Sequence, residues 1–177
     1  MSTNIDKIQS KLFQLEDFLS FRKALQASGK ELVFTNGCFD VLHLGHVTYL
    51  AQAADLGDFL VVALNNDASV KAQNKGENRP INPENARAFL LASLSFVDAV
   101  VLFEDNTPLK LIQAIQPDVL VKGADYDAEE TNPEAPKYIV GSSEVKAHGG
   151  KVKTIDLVPN YSSTAILKKQ ADLRKKT

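Results

Sequence analysis

The sequence of 177 residues has few cysteines, no excess of basic residues and no long apolar run, and each of these absences excludes a class of protein. It contains one cysteine, Cys38, so no disulfide can form within the chain. Its 20 Lys and Arg stand against 22 Asp and Glu, whereas a nucleic-acid-binding protein usually has a clear basic excess. No apolar run approaches the roughly 20 residues that cross a bilayer, and residues 1–9 lack the apolar core of a signal peptide. We therefore expect a soluble, cytoplasmic, single-domain protein that binds neither nucleic acid nor membrane.

Short apolar runs alternate with helix-like segments along the chain. The runs lie at 31–35, 58–64, 99–103, 118–122 and 151–155. Strands that alternate with helices are typical of an α/β fold, so we predict a doubly wound, five-stranded parallel sheet. An amphipathic segment at 17–27 precedes the first run. We therefore predict that residues 1–30 form an N-terminal helical extension and that residues 31–177 form the main domain.

Polar residues cluster where the predicted strands end and where the last helix begins. The clusters are 36–40, 65–67, 122–125 and 160–164. In open parallel sheets the ligand binds beyond the carboxyl ends of the strands, so these clusters should line one crevice. The polar segment at 65–83 is too long for a simple turn, and loops of such length are often functional.

The first cluster leads into His43-Leu44-Gly45-His46 at the start of a predicted helix. Histidines three residues apart share one side of a helix, and the free N–H groups of a helix start attract anions. Gly45 lets another group approach the backbone. The pattern indicates a phosphate whose charge grows during a reaction. Two other interpretations are imidazoles that only hydrogen-bond the backbone and a zinc site that includes Cys38, although no fourth ligand has zinc-like spacing.

The segment Thr35-Asn-Gly-Cys-Phe-Asp-Val-Leu-His-Leu-Gly-His46 resembles the signature of the HxGH nucleotidyltransferases, the cytidylyltransferase-like superfamily. Further matching pieces follow in the same order at 64–69, 79–83, 118–126, 141–145 and 162–164. An ordered set of motifs is far more specific than the HxGH string alone. Over residues 32–169 the chain is similar to the adenylyltransferase domain that makes ADP-heptose for lipopolysaccharide core. The resemblance implies a Rossmann-like nucleotidyltransferase fold in a stand-alone form, without the sugar kinase to which this domain is often fused.

The resemblance also implies a reaction in which ATP, as its Mg²⁺ complex, gives AMP to heptose 1-phosphate and releases pyrophosphate. His43, His46 and Lys122 would be catalytic, the two histidines holding the triphosphate and stabilising the α-phosphoryl group. Nucleotide-binding roles are implied for Thr35, Asn36, Gly37, Phe39, Gly45, Gly123, Asp125, Ser162, Ser163 and Thr164. Asp125 would bind ribose or Mg²⁺, and no side chains are assigned as a dedicated metal site. The three hydroxyls also make sense as helix-capping groups.

The residues implied to contact the sugar phosphate are Asp40, Asn65, Asp67, Lys75 and Arg87. Asp40 has a structural alternative, because a carboxylate there can cap a helix or shape its loop. Arg87 lies off the predicted buried stripe of its helix, so a surface position is the alternative. Lys71 competes with Lys75 as the lysine that reaches the phosphates.

Two alternative functions stay open at this stage. A cytidylyltransferase of the same superfamily would act on glycerol 3-phosphate or a phosphoamine, but such enzymes often carry an arginine before the last helix that 158–164 lacks. A non-catalytic nucleotide-binding module would bind ATP without forming pyrophosphate. The expected partners are small-molecule substrates, and a homo-oligomer is left open. The segment 127–138, with two prolines, is predicted to be an inserted surface loop.

Overall fold

The computed structural model describes residues 2–73 and 79–174 of the chain. The strands are β1 (Leu12–Phe13), β2 (Leu32–Gly37), β3 (Phe59–Asn65), β4 (Ala99–Phe103), β5 (Val119–Gly123) and β6 (Lys151–Ile155). The helices are α1 (Asn4–Gln9), α2 (Leu15–Ala27), α3 (Leu44–Ala54), α4 (Asp67–Ala72), α5 (Glu84–Ala92), α6 (Leu109–Ile115), α7 (Ser142–Ala147) and α8 (Ser163–Arg174). None of the described helices is long and apolar enough to span a membrane.

The strands form one parallel sheet in the order β1-β4-β3-β2-β5-β6. The α/β class and the parallel sheet are confirmed, but the predicted count of five strands is wrong by one. The extra strand, β1, has two residues, which pair with Val100 and Val101 of β4. A two-residue strand carries no alternation or apolar run, so sequence pattern could not reveal it.

Helices cover both faces of the sheet, which makes the central strands apolar along their whole length. Val61 and Ala63 of β3 point into one cluster with α2, α6 and α7 residues, among them Phe18 and Ile112. Their neighbours on β3, such as Val62, point into a second cluster with residues of α3 and α5. This alternation explains the unbroken apolar run of β3, since neither face meets water.

The N-terminal segment is part of the same core and includes a strand as well as helices. Phe18 and Leu25 of α2 are buried in the first cluster. Arg22 of α2 donates to the backbone oxygens of Ile115 and Gln116 at 3.3 and 2.8 Å and forms an ion pair with Asp118 at 3.0 Å. The predicted extension 1–30 is therefore tied to the turn between α6 and β5, and its β1 lies at the edge of the sheet.

Candidate active site

A cavity of about 510 Å³ lies at the carboxyl ends of β2, β3 and β5 and beside the start of α8. The strand-end rule predicts this position, because loops that follow parallel strands meet at one edge of the sheet. Twelve of the predicted site residues line the cavity. They are Asn36, Gly37, Phe39, His43, Gly45, His46, Asn65, Lys122, Gly123, Asp125, Ser162 and Ser163.

Five predicted site residues are outside the described lining of the cavity, and one lies outside the described part of the chain. Thr35, Asp40, Asp67, Arg87 and Thr164 are the five. Lys75 falls in 74–78, between the two described ranges. Which of Lys75 and Lys71 reaches the phosphates therefore stays a prediction with two alternatives. Lys71 itself is exposed on α4 and is also absent from the described lining.

The loop between β2 and α3 is organised by His43, the N-cap residue of α3. Its Nδ1 accepts a hydrogen bond from the His46 backbone N–H at 3.3 Å. A neutral His43 must then carry its proton on Nε2, where it is a donor. A Cβ at Gly45 would come within 3.1 Å of the His43 ring and 3.2 Å of Tyr161 Cβ. Glycine at 45 therefore permits the tight packing of the histidine loop against the segment that leads into α8.

Phe39 adopts a backbone conformation that is rare for a bulky side chain, with φ at +43°. Its ring stands edge-on to the His46 imidazole at 5.1 Å between centroids. Gly37 makes room for the same ring, since a Cβ there would lie 2.9 Å from Phe39 Cε2. Such backbone strain is often found at functional sites. Phe39 thus fixes one side of His46.

The two imidazoles are stacked, with 3.7 Å between ring centroids and 17° between planes. Burial lowers the pKa of His46 to about 4, and the nearby His43 ring adds to the effect. Burial also lowers the pKa of His43. His46 Nδ1 is buried and has no hydrogen-bond partner among the described residues. At neutral pH the pair is therefore uncharged, and a phosphate oxygen can take hydrogen bonds from it.

The pKa of His46 gives folding a pH dependence. An unfolded chain takes up the proton near pH 6.5, but the folded chain does so only near pH 4. Between these values the unfolded state binds more protons, so its free energy falls relative to the folded state. We expect the free energy of unfolding to decrease as pH is lowered from 6.5 to 4, and to decrease less in the His46→Ala variant. Urea titrations across this range measure the difference; equal decreases in both proteins would assign the effect to other groups.

Lys122 brings a cation to the cavity from the end of β5. Its Nζ donates to Asn36 Oδ1 at 2.5 Å and lies 5.6 Å from the centre of the Tyr126 ring. Asn36 is the last but one residue of the neighbouring strand β2, so the hydrogen bond joins the carboxyl ends of two strands. The ammonium is held toward the cavity by this amide, which agrees with the predicted crevice-facing orientation.

Thr35 lies beneath the cavity, in a buried chain of hydroxyl groups. Its Oγ1 is 2.7 Å from Tyr49 Oη, and Tyr49 Oη donates to the Val121 backbone oxygen at 3.0 Å. Thr35 is fully buried, so direct side-chain contact with a nucleotide is excluded in this conformation. The chain connects β2, α3 and β5, and so fixes the elements that carry Asn36, His46 and Lys122 relative to one another.

Asp40 shapes a loop, the structural alternative that the sequence left open. Its Oδ1 accepts from the backbone N–H groups of Ile81 and Asn82 at 2.8 and 2.9 Å, and its carboxylate pairs with Arg79. The Asn82 side chain donates to the Asp40 backbone oxygen at 2.7 Å. The side chain is buried, and its oxygens are turned toward 79–82 and away from the cavity. Asp40 thus anchors that segment beside the histidine loop.

The expectation that Arg87 lies off the buried face of its helix is wrong. The buried residues of α5 are Arg87, Ala88, Leu91 and Ala92, whereas the apolar Leu90 of the same helix is 44% exposed. The Arg87 guanidinium donates to the backbone oxygens of Cys38, Asn65 and Asn82 at 2.6, 2.8 and 3.0 Å. It also pairs with Asp67 at 2.7 Å. Arg87 and Asp67 therefore hold the ends of β2 and β3 together from behind the cavity.

The hydroxyl cluster before α8 has three different environments. Ser162 Oγ accepts from the Ala165 backbone N–H at 3.1 Å, which is a capping bond. Ser163 Oγ donates to the Val41 backbone oxygen at 3.4 Å, and both serines line the cavity. Thr164 is exposed and outside the described lining. Two of the three hydroxyls are thus positioned to meet a bound anion.

Several lining residues were not predicted from the sequence. They are Tyr49, Gln73, Asn106, Thr107, Pro108, Tyr126, Tyr138, Val140, Leu157 and Val158, whereas Cys38 and Tyr161 belong to the predicted clusters 36–40 and 160–164. Asn106 and Thr107 come from the loop between β4 and α6, which contains none of the predicted site residues. Tyr138 ends the predicted inserted loop and shares a hydrogen bond with Ser143 at 3.1 Å. Polar and aromatic residues are common in loops throughout the sequence, so no sequence signal distinguished these residues as part of the site.

The described residues do not by themselves make a site for Mg²⁺. No three His, Cys, Asp or Glu side chains in the described ranges 2–73 and 79–174 come together as metal ligands. Asp125 is the carboxylate among the described lining residues. One carboxylate does not provide the oxygen-rich set that Mg²⁺ needs, and in phosphate-binding sites substrate phosphates often supply the rest.

The family model described as cytidylyltransferase-like matches residues 34–169 of the chain. The match begins within β2 and ends within α8, and it includes every described residue of the cavity. It also covers more than half of the sequence.

Individual relatives agree with the family match. The bifunctional protein HldE of Campylobacter concisus is 52% identical over 161 residues, which are 91% of this chain and 30% of that protein. HldE of Nitratiruptor sp. is 51% identical over 154 residues. The chain thus spans about 30% of the length of these curated relatives.

Two solved structures share the fold. A lipopolysaccharide core biosynthesis protein from Thermoplasma volcanium is 31% identical with a TM-score of 0.55, covering 73% of this chain and 98% of that one. Pantoate-beta-alanine ligase from Francisella tularensis has a TM-score of 0.58 at 18% identity, covering 90% of this chain and 76% of that one. At that identity the second likeness concerns the fold alone.

Proposed function

Since this chain belongs to the cytidylyltransferase-like family of nucleotidyltransferases, we propose that it transfers AMP from ATP to heptose 1-phosphate. The products are ADP-heptose, for lipopolysaccharide core synthesis, and pyrophosphate. One observation carries the proposal: His43, His46, Lys122, Ser162 and Ser163 line a single cavity. The acceptor follows from the resemblance of residues 32–169 to the ADP-heptose-forming domain, and a solved relative named for lipopolysaccharide core biosynthesis supports it. With ATP as donor, the reaction belongs in the cytoplasm.

The proposed chemistry is a direct in-line displacement. A phosphate oxygen of the sugar phosphate attacks the α-phosphorus of ATP, and the bond to the bridging oxygen of the β-phosphate breaks. Pyrophosphate leaves, and no covalent enzyme intermediate forms. The nucleophile is already an anion, so catalysis consists of positioning the reactants and stabilising charge.

The cavity residues divide these tasks. The stacked His43 and His46 donate hydrogen bonds to the α-phosphoryl oxygens, where charge accumulates as the bond breaks. Lys122, held by Asn36, adds a positive charge at the same point. Ser162 and Ser163, with the start of α8, bind the outer phosphates. Phe39 and Gly45 contribute by shaping the loop that holds the histidines.

Mg²⁺ enters this scheme as part of the substrate, because ATP reacts as its metal complex. When bound, the metal screens the charge of the triphosphate and makes pyrophosphate a better leaving group. Asp125 is the protein carboxylate available to it, and no step is assigned to a resident metal.

Pyrophosphate release tests the proposed function. Purified protein with Mg²⁺ is assayed in a grid of ATP and CTP against heptose 1-phosphate and glycerol 3-phosphate. We expect release with ATP and heptose 1-phosphate, and loss of release when chelator removes Mg²⁺.

The other outcomes of the grid separate the alternatives. Release with CTP and glycerol 3-phosphate would keep the mechanism and assign the chain to the cytidylyltransferases. Binding of ATP without release in any combination would indicate a non-catalytic nucleotide-binding module.

A further inference from the structure

The strand order gives the cavity two chemically different ends. β2, which carries the histidine loop at its end, stands in the middle of the sheet. The connections that follow β3 and β4 lie on one side of it, and those that follow β5 and β6 lie on the other. A ligand that reaches the histidines from one side therefore meets different side chains from a ligand that arrives from the opposite side.

The side of β5 and β6 offers an aromatic and apolar surface beside the polar residues Lys122, Asp125, Ser162 and Ser163. The aromatic and apolar residues are Tyr126, Tyr138, Val140, Leu157, Val158 and Tyr161. Leu157 and Tyr161 are about half exposed, so they offer apolar surface to a ligand. A planar base gains from such a surface, since aromatic rings bury much area and stack.

On the side of β3 and β4, the lining residues that the structure describes are mainly polar and carry no charge. These residues are Cys38, Asn65, Gln73, Asn106 and Thr107, with Pro108. The Asn65 amide donates to Ser69 Oγ at 3.2 Å, and Cys38 Sγ donates to Gln73 Oε1 at 3.3 Å. The bond from Cys38 uses only the oxygen of the Gln73 amide, and no hydrogen bond of its NH₂ group to another described residue is present.

Asn106 and Thr107 differ from the other polar residues at this end because their side chains make no hydrogen bonds to the described residues. Both are exposed on the loop between β4 and α6, and neither hydrogen-bonds another residue in the described part of the chain. An amide and a hydroxyl together provide donors and acceptors for hydroxyl groups of a ligand. An ammonium group would instead need a carboxylate or an aromatic cage, and the described lining at this end has neither.

We propose that Asn106 and Thr107, with the Gln73 amide, form the acceptor subsite and select a phosphorylated polyol or sugar over a phosphorylated amine. This inference rests on the proposed function and extends it to the residues that decide the acceptor. The nucleotide base takes the opposite end, and the two phosphates meet between them at His43 and His46.

Separate KM values for the two substrates test the subsite. Asn106→Leu and Thr107→Val keep the side-chain volume and remove the hydrogen-bonding groups. We expect each to raise KM for heptose 1-phosphate about three- to tenfold, the effect of one or two lost hydrogen bonds, with KM for ATP unchanged within twofold. Tyr138→Leu, at the other end, should raise KM for ATP and leave the acceptor KM unchanged. Asp105→Asn is the matched control, because Asp105 shares the loop but pairs with Lys110 outside the cavity.

The results also separate failure of the subsite from failure of the proposed function. An unchanged acceptor KM in Asn106→Leu and Thr107→Val, or a rise in KM for ATP only, would overturn the subsite. If wild type uses another sugar or polyol phosphate, the proposed acceptor is wrong, but the ratio of variant to wild-type KM for that acceptor still tests the subsite. Turnover with a phosphoamine alone would overturn the proposed subsite. If no substrate pair gives turnover, binding is measured by calorimetric titration of heptose 1-phosphate into protein that holds a non-hydrolysable ATP analogue. Absence of binding in that titration would overturn the subsite.

Discussion

Replacing His46 with alanine should lower kcat about 10²- to 10³-fold, which is the usual cost of removing one group that stabilises transition-state charge. Phe39 holds His46 on one side and His43 stacks against it on the other, so the orientation of this imidazole in the cavity is fixed. The interaction matters most when charge builds on the α-phosphoryl group, and KM for ATP should therefore change much less than kcat. Steady-state pyrophosphate release measures both constants.

His148 supplies the matched control for this prediction. Its Nε2 lies 2.9 Å from the Pro117 backbone oxygen, at the end of α7 and outside the described cavity lining. His148→Ala should keep the wild-type kcat. Near-normal turnover in His46→Ala, with thermal unfolding showing a folded protein, would remove the histidine from the reaction and with it the mechanism proposed above.

Replacing Arg87 with leucine should destabilise the fold by about 3–5 kcal/mol, because several backbone oxygens lose a charged donor and each buried group left unsatisfied costs about 1–3 kcal/mol. The leucine fills part of the space but leaves three backbone oxygens and the Asp67 carboxylate without their donors. Urea unfolding measures the loss of free energy. Lys110→Ala removes an exposed ion pair with Asp105 and should leave the unfolding midpoint unchanged.

The same variant decides between the two roles considered for Arg87. If Arg87 contacts the substrate phosphate, as the family resemblance implied, Arg87→Leu should unfold like wild type and show a raised KM for the sugar phosphate. If it holds the strand ends together, stability falls and the purified folded fraction retains its KM. The hydrogen bonds to Cys38, Asn65 and Asn82 favour the second result.

The parts of the fold that depend on local pattern were predictable, and the parts that depend on distant partners were not. Strands β2, β3 and β5 are apolar runs bounded by polar clusters, so their ends could be expected to form the crevice. The phase of α5 was misjudged because hydrophobic periodicity treats arginine as a surface residue. Arg87 is buried only because residues 38, 65 and 82 provide oxygens for it, and their proximity exists only in the folded chain.

The candidate site shows the same division. The histidine loop was predictable, because its spacing is local and its resemblance to a family motif is specific. Thr35 belongs to that motif but faces Tyr49 under the cavity, since alternate residues of a strand point to opposite faces. Asn106 and Thr107 were missed because their contribution depends on β4 lying beyond β3 in the sheet.

The placement of β2 between two unlike sets of connections makes the two halves of the substrate pair separately adjustable. With the proposed subsite, changes in the loop between β4 and α6 would alter the partner that receives the nucleotidyl group, while residues after β5 and β6 would still bind the donor. A lineage can therefore exchange one acceptor for another through substitutions in a few surface loop positions, without disturbing the histidines, the lysine or the sheet that carries them.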